Sequence, residues 1–160
     1  MSVIIWITEG TWPACVDAAR ERADTADLVL LHVADDALSE AAHGAFAGLL
    51  GRGRPERDPG TRLEDLSRAA ADDLFTAAER RLGRPASRLA LHGRAEQQVV
   101  RAADGADLLV CARDGDRTRL GPRSLGPATR FVVDHAPCPV LLVWPDAAPG
   151  LGTLPPPPHH

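Results

Sequence analysis

The chain has 160 residues and a formal net charge of −4, from 18 basic and 22 acidic side chains. This length suits one domain with a sizeable core, and the mild acidity argues against a general nucleic-acid binder, which would carry a net basic surface. All 18 basic residues are arginine, which excludes Schiff-base chemistry and a phosphate-binding loop built on lysine.

No segment of the chain has the pattern of a membrane span or an export signal. No window approaches the roughly 18 consecutive apolar residues of a membrane span, and the N-terminus lacks the basic region of a signal peptide. The three cysteines, Cys15, Cys111 and Cys138, form no CxxC pair. We therefore expect a cytoplasmic protein with reduced thiols, no metal site and no membrane contact.

The first half of the chain predicts buried strands separated by helices. Continuous apolar runs at 3–7 and 28–33 are typical of strands covered on both faces of a parallel sheet. Between them, Thr11 is placed to cap a helix. A charged stretch rich in glycine and proline at 51–60 predicts a flexible loop.

The second half continues the alternation of helices and strands. Its clearest helix carries an apolar stripe that includes Leu66 and Leu74 at helical spacing. Strands that alternate with helices predict an α/β fold with a parallel sheet covered on both faces. The predicted elements are a helix at 61–82, a strand at 87–92, a helix at 95–103, a strand at 107–112, a helix at 127–135 and a strand at 139–144.

The composition changes sharply at the end of the chain. Residues 145–160 include six prolines, four of them consecutive at 155–158. Such a segment favours an extended, polyproline-like conformation with little packing. We expect one α/β domain over 1–145 and a disordered, proline-rich tail over 146–160, and we assign no metal role to its two terminal histidines.

Four short segments occur in a characteristic order: ITEGT at 7–11, LHV at 31–33, GADLLV at 105–110 and APCPVLLV at 136–143. Together they resemble the universal stress protein family over about 3–144. The resemblance implies a Rossmann-like three-layer sandwich with five parallel strands in the order 3-2-1-4-5. It also implies a homodimer joined through the fifth strands at Val140, Leu142 and Trp144, which would cover an apolar edge that is otherwise an aggregation hazard.

The resemblance also implies an ATP pocket at the ends of strands one and four. Family members have an acidic residue after the first strand, and after the fourth a Gly-x-x-Gly pair, nine residues, and Gly-Ser or Gly-Thr. Glycines let the backbone approach phosphates, which bind N–H groups at a helix N-terminus. The implied nucleotide-binding residues, with Mg²⁺ only as a companion of ATP, are Thr8, Glu9, Gly10, Val33, Arg113, Gly115, Gly126 and Thr129.

The loop after strand four departs from that pattern. Ala112 replaces the first glycine of the pattern. Ten residues rather than nine separate Gly115 from Gly126, which take the places of the second and third glycines. Pro127, which has neither an N–H nor a hydroxyl, follows the last one. Asp114 and Asp116 add negative charge where phosphates would lie.

Other residues of the same loop are suited to an anion. Guanidinium groups match phosphate oxygens, and Ser124 and Thr129 offer hydroxyl groups. An ATP-binding pocket and an ATP-independent one are therefore both open alternatives. The four arginines of the loop are Arg113, Arg117, Arg119 and Arg123.

The resemblance predicts a dimeric stress-response regulatory protein with no catalytic residues and at most weak ATPase activity. An enzyme on the same fold, such as a nucleotide hydrolase or an adenylyl-transfer enzyme, is one alternative. The sequence has no Gly-x-Ser-x-Gly motif and no lysine to support it. The other alternative is an interaction module that uses the tail or the loop at 51–60.

Overall fold

The computed structural model describes residues 1–24, 26–35 and 59–158, without the side chain of Pro59. The predicted loop at 51–60 lies outside these residues apart from its last two, which are helical. No helix within the described ranges is long and apolar enough to cross a membrane.

The described residues form five strands, four α-helices and two short 3₁₀ helices. The order along the chain confirms the predicted alternation of strands and helices. The elements are β1 (Ser2–Trp6), α1 (Trp12–Arg22), β2 (Asp27–Ala34), α2 (Pro59–Leu82), β3 (Ser87–His92), α3 (Ala95–Ala102), β4 (Leu108–Ala112), 3₁₀ helix Pro122–Ser124, α4 (Pro127–His135), β5 (Val140–Val143) and 3₁₀ helix Leu151–Thr153.

All strand pairs are parallel, and the sheet has the order β3-β2-β1-β4-β5. Ile5 of β1 pairs with Leu30 of β2 on one side and Val110 of β4 on the other. The expected order is therefore confirmed. The chain order reverses beside β1, so the ends of β1 and β4 flank the switch point where α/β sheets bind ligands.

The sheet has a hydrophobic core on each face. Ile5 packs in a cluster with Phe75 of α2, and Trp6 packs in the opposite cluster with Val99 of α3 and Val132 of α4. Successive side chains of a strand point to opposite faces, so the four buried positions of β1, from Val3 to Trp6, are all apolar. This double burial explains the uninterrupted apolar run at the start of the sequence.

Helix α2 buries only part of its predicted apolar stripe. Leu74, Phe75 and Leu82 are buried, whereas the side chain of Leu66 is 62% exposed. The helix also begins at Pro59, two residues before the predicted start. Helical spacing alone therefore overestimated how far the described core extends along this helix.

The cysteines are free thiols, as the sequence predicts for a reduced protein. Burial raises the pKa of both Cys15 and Cys111 to about 12. Burial also raises the pKa of Cys138, which is only partly covered. The two buried thiols are therefore protonated at neutral pH and belong to the core.

Replacing Ile5 by alanine should lower the free energy of unfolding by about 2–5 kcal/mol, because Ile5 is fully buried between two strands and α2. Urea denaturation monitored by circular dichroism measures this loss. The exposed Leu66→Ala is the control and should change the free energy by less than about 0.5 kcal/mol. Equal losses in the two variants would contradict the assigned core.

Candidate functional site

The fold brings the predicted nucleotide-binding residues to one end of the sheet. They follow β1, lie near the end of β2, follow β4, or begin α4. Carboxyl ends of parallel strands meet at the same edge, which is why residues far apart in sequence gather there. After β1 come Thr8, Glu9 and Gly10, and Val33 is the penultimate residue of β2. After β4 come Arg113 and Gly115. At the start of α4 lie Gly126 and Thr129.

The turn after β1 is fixed by its own hydrogen bonds. The Thr8 carbonyl accepts the N–H groups of Thr11 (3.3 Å) and Trp12 (3.1 Å), and the hydroxyls of Thr8 and Thr11 lie 2.6 Å apart. Gly10 has a φ of +84°, a conformation that favours glycine. Glu9 is exposed, so the turn presents its carboxylate to solvent beside the strand ends.

Asp114 forms the central contact of the site, because its carboxylate lies at the N-terminus of α4. The backbone N–H of Gly126 donates to Oδ1 at 2.7 Å, and the Thr129 hydroxyl donates to Oδ2 at 2.9 Å. Gly126 is the N-cap residue of α4. The positive end of the helix dipole favours an anion there, so the chain supplies its own anion to this helix.

The two loop glycines that match the family pattern, Gly115 and Gly126, lie in close contact with other parts of the chain. Gly115 donates its N–H to the Ser124 carbonyl at 2.8 Å. A Cβ at Gly115 would lie 2.3 Å from the Arg123 carbonyl oxygen, and one at Gly126 would lie 2.9 Å from Asp114 Oδ1. Both glycines are therefore required for the loop to close on itself and for Asp114 to reach the helix.

Arg113 is partly buried, and its side chain contacts Trp144 and Ser124. Its Cζ lies 4.7 Å from the centroid of the Trp144 ring, and Nη1 donates to the Ser124 hydroxyl at 2.6 Å. Its Nε is buried without a hydrogen-bond partner among the described atoms. Arg113 thus joins the β4 end to Trp144 after β5 by a cation–π contact, and to Ser124 of the loop by a hydrogen bond.

The other arginines of the loop have separate surroundings. Arg117 forms an ion pair with Asp146 at 3.0 Å. Hydrogen bonds from Thr118 lower the pKa of Asp116, and the nearby charges of Arg119 and Arg123 lower it further. Arg119 and Arg123 are exposed, so they are the loop's accessible positive charges.

Several donors near the start of α4 that a triphosphate could use are already bonded within the chain. Asp114 holds the hydrogen-bond donors of Gly126 and Thr129, and the Ser124 hydroxyl donates to the Gly121 carbonyl at 2.7 Å. Pro127 offers no N–H. A triphosphate would have to displace a carboxylate from two hydrogen bonds and approach its negative charge.

His32 of β2 lies beside Glu9 but is suited to a structural role. Burial lowers its pKa, the Glu9 carboxylate raises it and His92 lowers it, with burial the largest effect. Its ring makes an edge contact with Phe75 at a centroid distance of 6.1 Å. His32 is therefore a neutral, packed side chain at pH 7.

The sequence profile of the universal stress protein family matches residues 11–143, which is most of the chain. The chain belongs to the universal stress protein family. A search of curated proteins gave no match.

Solved structures agree with the family assignment at the level of the fold. Universal stress protein UspA from Lactobacillus plantarum superposes with a TM-score of 0.63 at 20% identity, covering 89% of this chain and 97% of that one. A universal stress protein solved in complex with cAMP superposes with a TM-score of 0.62 at 18% identity, covering 91% of this chain and 98% of that one. A hypothetical protein whose biochemical function was assigned from its structure superposes with a TM-score of 0.66 at 17% identity, covering 92% of this chain and 97% of that one.

The contact that the sequence does not reveal is the bond between Asp114 and α4. In the sequence, Asp114 is only a negative charge in a loop with arginines. The sole signal is an aspartate followed twelve residues later by the start of a helix at Gly126, a spacing without a local pattern.

In the part of the chain that the structure describes, no group of three potential ligands is placed to hold a metal ion.

Replacing Asp114 by alanine should lower the free energy of unfolding by about 1 kcal/mol. The variant loses the cap of α4 and leaves the buried Thr129 hydroxyl without its acceptor. Urea denaturation measures this loss. The exposed Asp104→Ala is the matched control, and a loss no larger than that of the control would contradict the role of Asp114.

Proposed function

We propose that this universal stress protein is a dimeric regulator that acts through protein contacts, in the cytoplasm, and without bound ATP. The observation that carries the proposal is the Asp114 carboxylate at the N-terminus of α4, bonded to Gly126 and Thr129. Membership in the family supports the stress-response role. The three free cysteines support a reducing compartment.

An internal carboxylate removes the need for a bound phosphate at α4. The family resemblance puts ATP phosphates against the glycine loop and the following helix. Here Asp114 is part of that loop, so it is present at the helix at every ligand concentration. Together with the Gly115 bond to Ser124, it holds the loop closed in the free chain. In this proposal the loop keeps its closed conformation whether or not ATP is present.

A second candidate is an adenine-nucleotide site at the strand ends, formed by Thr8, Glu9, Gly10 and Val33, with the loop residues completing it. Glu9 is exposed there, and a structural neighbour was solved in complex with cAMP. A nucleotide with one compact phosphate carries less negative charge than a triphosphate and needs fewer hydrogen-bond donors from α4. If this candidate holds, cAMP raises the melting temperature of the wild type and not of Glu9→Gln.

Wild-type protein should release no adenine nucleotide on denaturation, and ATP should leave its melting temperature unchanged. Asp114→Gly combined with Pro127→Ser removes the internal anion and adds an N–H and a hydroxyl, so it should gain ATP binding. Ligand at 100 times its Kd stabilises by about 2.7 kcal/mol, or about 5–10 °C for a chain of this size. Mass spectrometry and thermal melts measure the two properties.

The control for this experiment is Pro127→Ser alone, which keeps Asp114 in place and should not respond to ATP. An ATP-induced rise in wild-type melting temperature would overturn the proposal. A double variant as unresponsive as the control would show that Asp114 is not the obstacle.

The proposed dimer uses the free edge of β5. The carbonyl groups of Pro139 and Val143 accept bonds from the N–H groups of Leu109 in β4 and of Arg113 just after it. Because backbone groups alternate along a parallel strand, those of Val140, Leu142 and Trp144 point to the opposite edge. No described strand lies beyond β5. These three residues therefore offer an unpaired, apolar edge that an identical strand can cover.

Leu142→Pro should convert the dimer to a monomer, because proline removes the N–H that the partner strand would accept. Leu142→Ala is the matched control, since it loses the same side chain and keeps the N–H. Sedimentation velocity should give twice the 17.0 kDa chain mass for the wild type and the control. Equal masses for the two folded variants, verified by circular dichroism, would contradict pairing through this edge.

A further inference from the structure

A second concave surface lies between the loop after β4 and the C-terminal tail. Residues 118–123 form one wall and residues 152–156 the other, around a cavity of about 810 Å³. This volume lies in the range of small-molecule sites, about 300–1,000 Å³. We call this surface the tail cleft. None of the predicted nucleotide-binding residues lines it.

The tail wall is held in place by specific bonds. The predicted tail at 146–160 is extended and unpacked, whereas the structure gives a 3₁₀ helix at Leu151–Thr153. The Thr153 hydroxyl accepts the Leu120 N–H at 3.0 Å and donates to the Gly150 carbonyl at 2.7 Å. Closer to β5, Asp146 pairs with Arg117. These contacts join the first half of the segment, at Asp146 and Thr153, to the loop, which proline composition alone does not indicate.

The tail cleft carries a positive charge on one side. Arg119 and Arg123 line it, and both side chains are exposed. Asp116 is the acidic group that feels both arginines, so it offsets part of their charge. Two guanidinium groups against one carboxylate leave a net charge of +1 for an anionic ligand. Guanidinium groups bind phosphate oxygens in a planar, two-point geometry.

The opposite side of the tail cleft is apolar. Leu154 is 56% exposed there, next to Pro155 and Pro156. Exposed apolar side chains in a concavity, facing a few charged groups, are the usual composition of a ligand site. The Thr153 hydroxyl is already committed to the loop, so charge recognition depends on the arginines.

We propose that the tail cleft binds a small organic phosphate monoester, with the phosphate at Arg119 and Arg123 and an apolar or ring-shaped group against Leu154 and the prolines. This site goes beyond the proposed function, because it uses neither the α4 N-terminus nor the strand ends. It also assigns a role to the tail, which would form a wall of a ligand site.

The test is a titration of the full chain, followed by NMR of its backbone amides, with phenyl phosphate and inorganic phosphate as probes. Phenyl phosphate should produce saturable shifts at 118–123 and 152–154. Inorganic phosphate should bind at least about fivefold more weakly, because it lacks a group for the apolar wall. Arg119→Gln and Arg123→Gln should each weaken phenyl phosphate about fivefold, a typical loss for an exposed charge pair.

Two further variants make the assignment specific. The exposed Arg101→Gln on α3 is the matched control and should bind as the wild type does. Asp116→Asn should bind about two- to fivefold more tightly, because it removes the competing charge and keeps an acceptor for Thr118.

Several results would overturn the tail cleft as a site. One is the absence of saturable shifts with phenyl phosphate. Another is that Arg119→Gln and Arg123→Gln bind phenyl phosphate as tightly as Arg101→Gln does. A third is that phenyl phosphate and inorganic phosphate bind with equal affinity. Shifts confined to 126–129 that grow stronger in Asp114→Ala would assign the phosphate to α4 instead, and their presence in the wild type would contradict the proposal for ATP as well.

Discussion

The contact between Asp114 and the N-terminus of α4 determines how the functional end of this protein is built. One carboxylate accepts the N–H of Gly126 and the hydroxyl of Thr129, and so joins the end of β4 to the next helix. The positive end of a helix attracts an anion whether that anion is a ligand or part of the chain. Here it is part of the chain.

The rest of the loop is consistent with this constraint. Gly115 and Gly126 lack side chains because the Arg123 carbonyl and the Asp114 carboxylate approach them too closely for a Cβ. Arg113 packs on Trp144 and bonds to Ser124, so its charge stabilises the loop from behind. The arginines that resembled a phosphate-binding group therefore have different roles, and Arg119 and Arg123 line the tail cleft.

The sequence predicted the fold well because the sheet is buried on both faces. The uninterrupted apolar runs around Ile5 and Leu30 have few other uses in a chain of this size, and each predicted strand within the described ranges is present. The strand order came from the family resemblance. Exposure of Leu66 could not be predicted, since spacing along a helix does not reveal how far its neighbours extend.

The site was harder to predict, because its decisive bonds join residues that are distant in sequence. Asp114 reaches Gly126 across twelve residues, and Leu120 reaches Thr153 across thirty-three. The pattern of glycines correctly marked close backbone approach, but it could not distinguish approach to a phosphate from approach to the chain's own oxygens. The proline-rich composition likewise predicted an extended tail without revealing the loop that binds it.

The most direct test of the central contact is the amide proton resonance of Gly126, compared by NMR between the wild type and Asp114→Ala. Loss of the charged acceptor should move this resonance upfield in Asp114→Ala, whereas the exposed Asp104→Ala should leave it in place. A Gly126 resonance that does not move in Asp114→Ala, or that moves equally in Asp104→Ala, would contradict the contact.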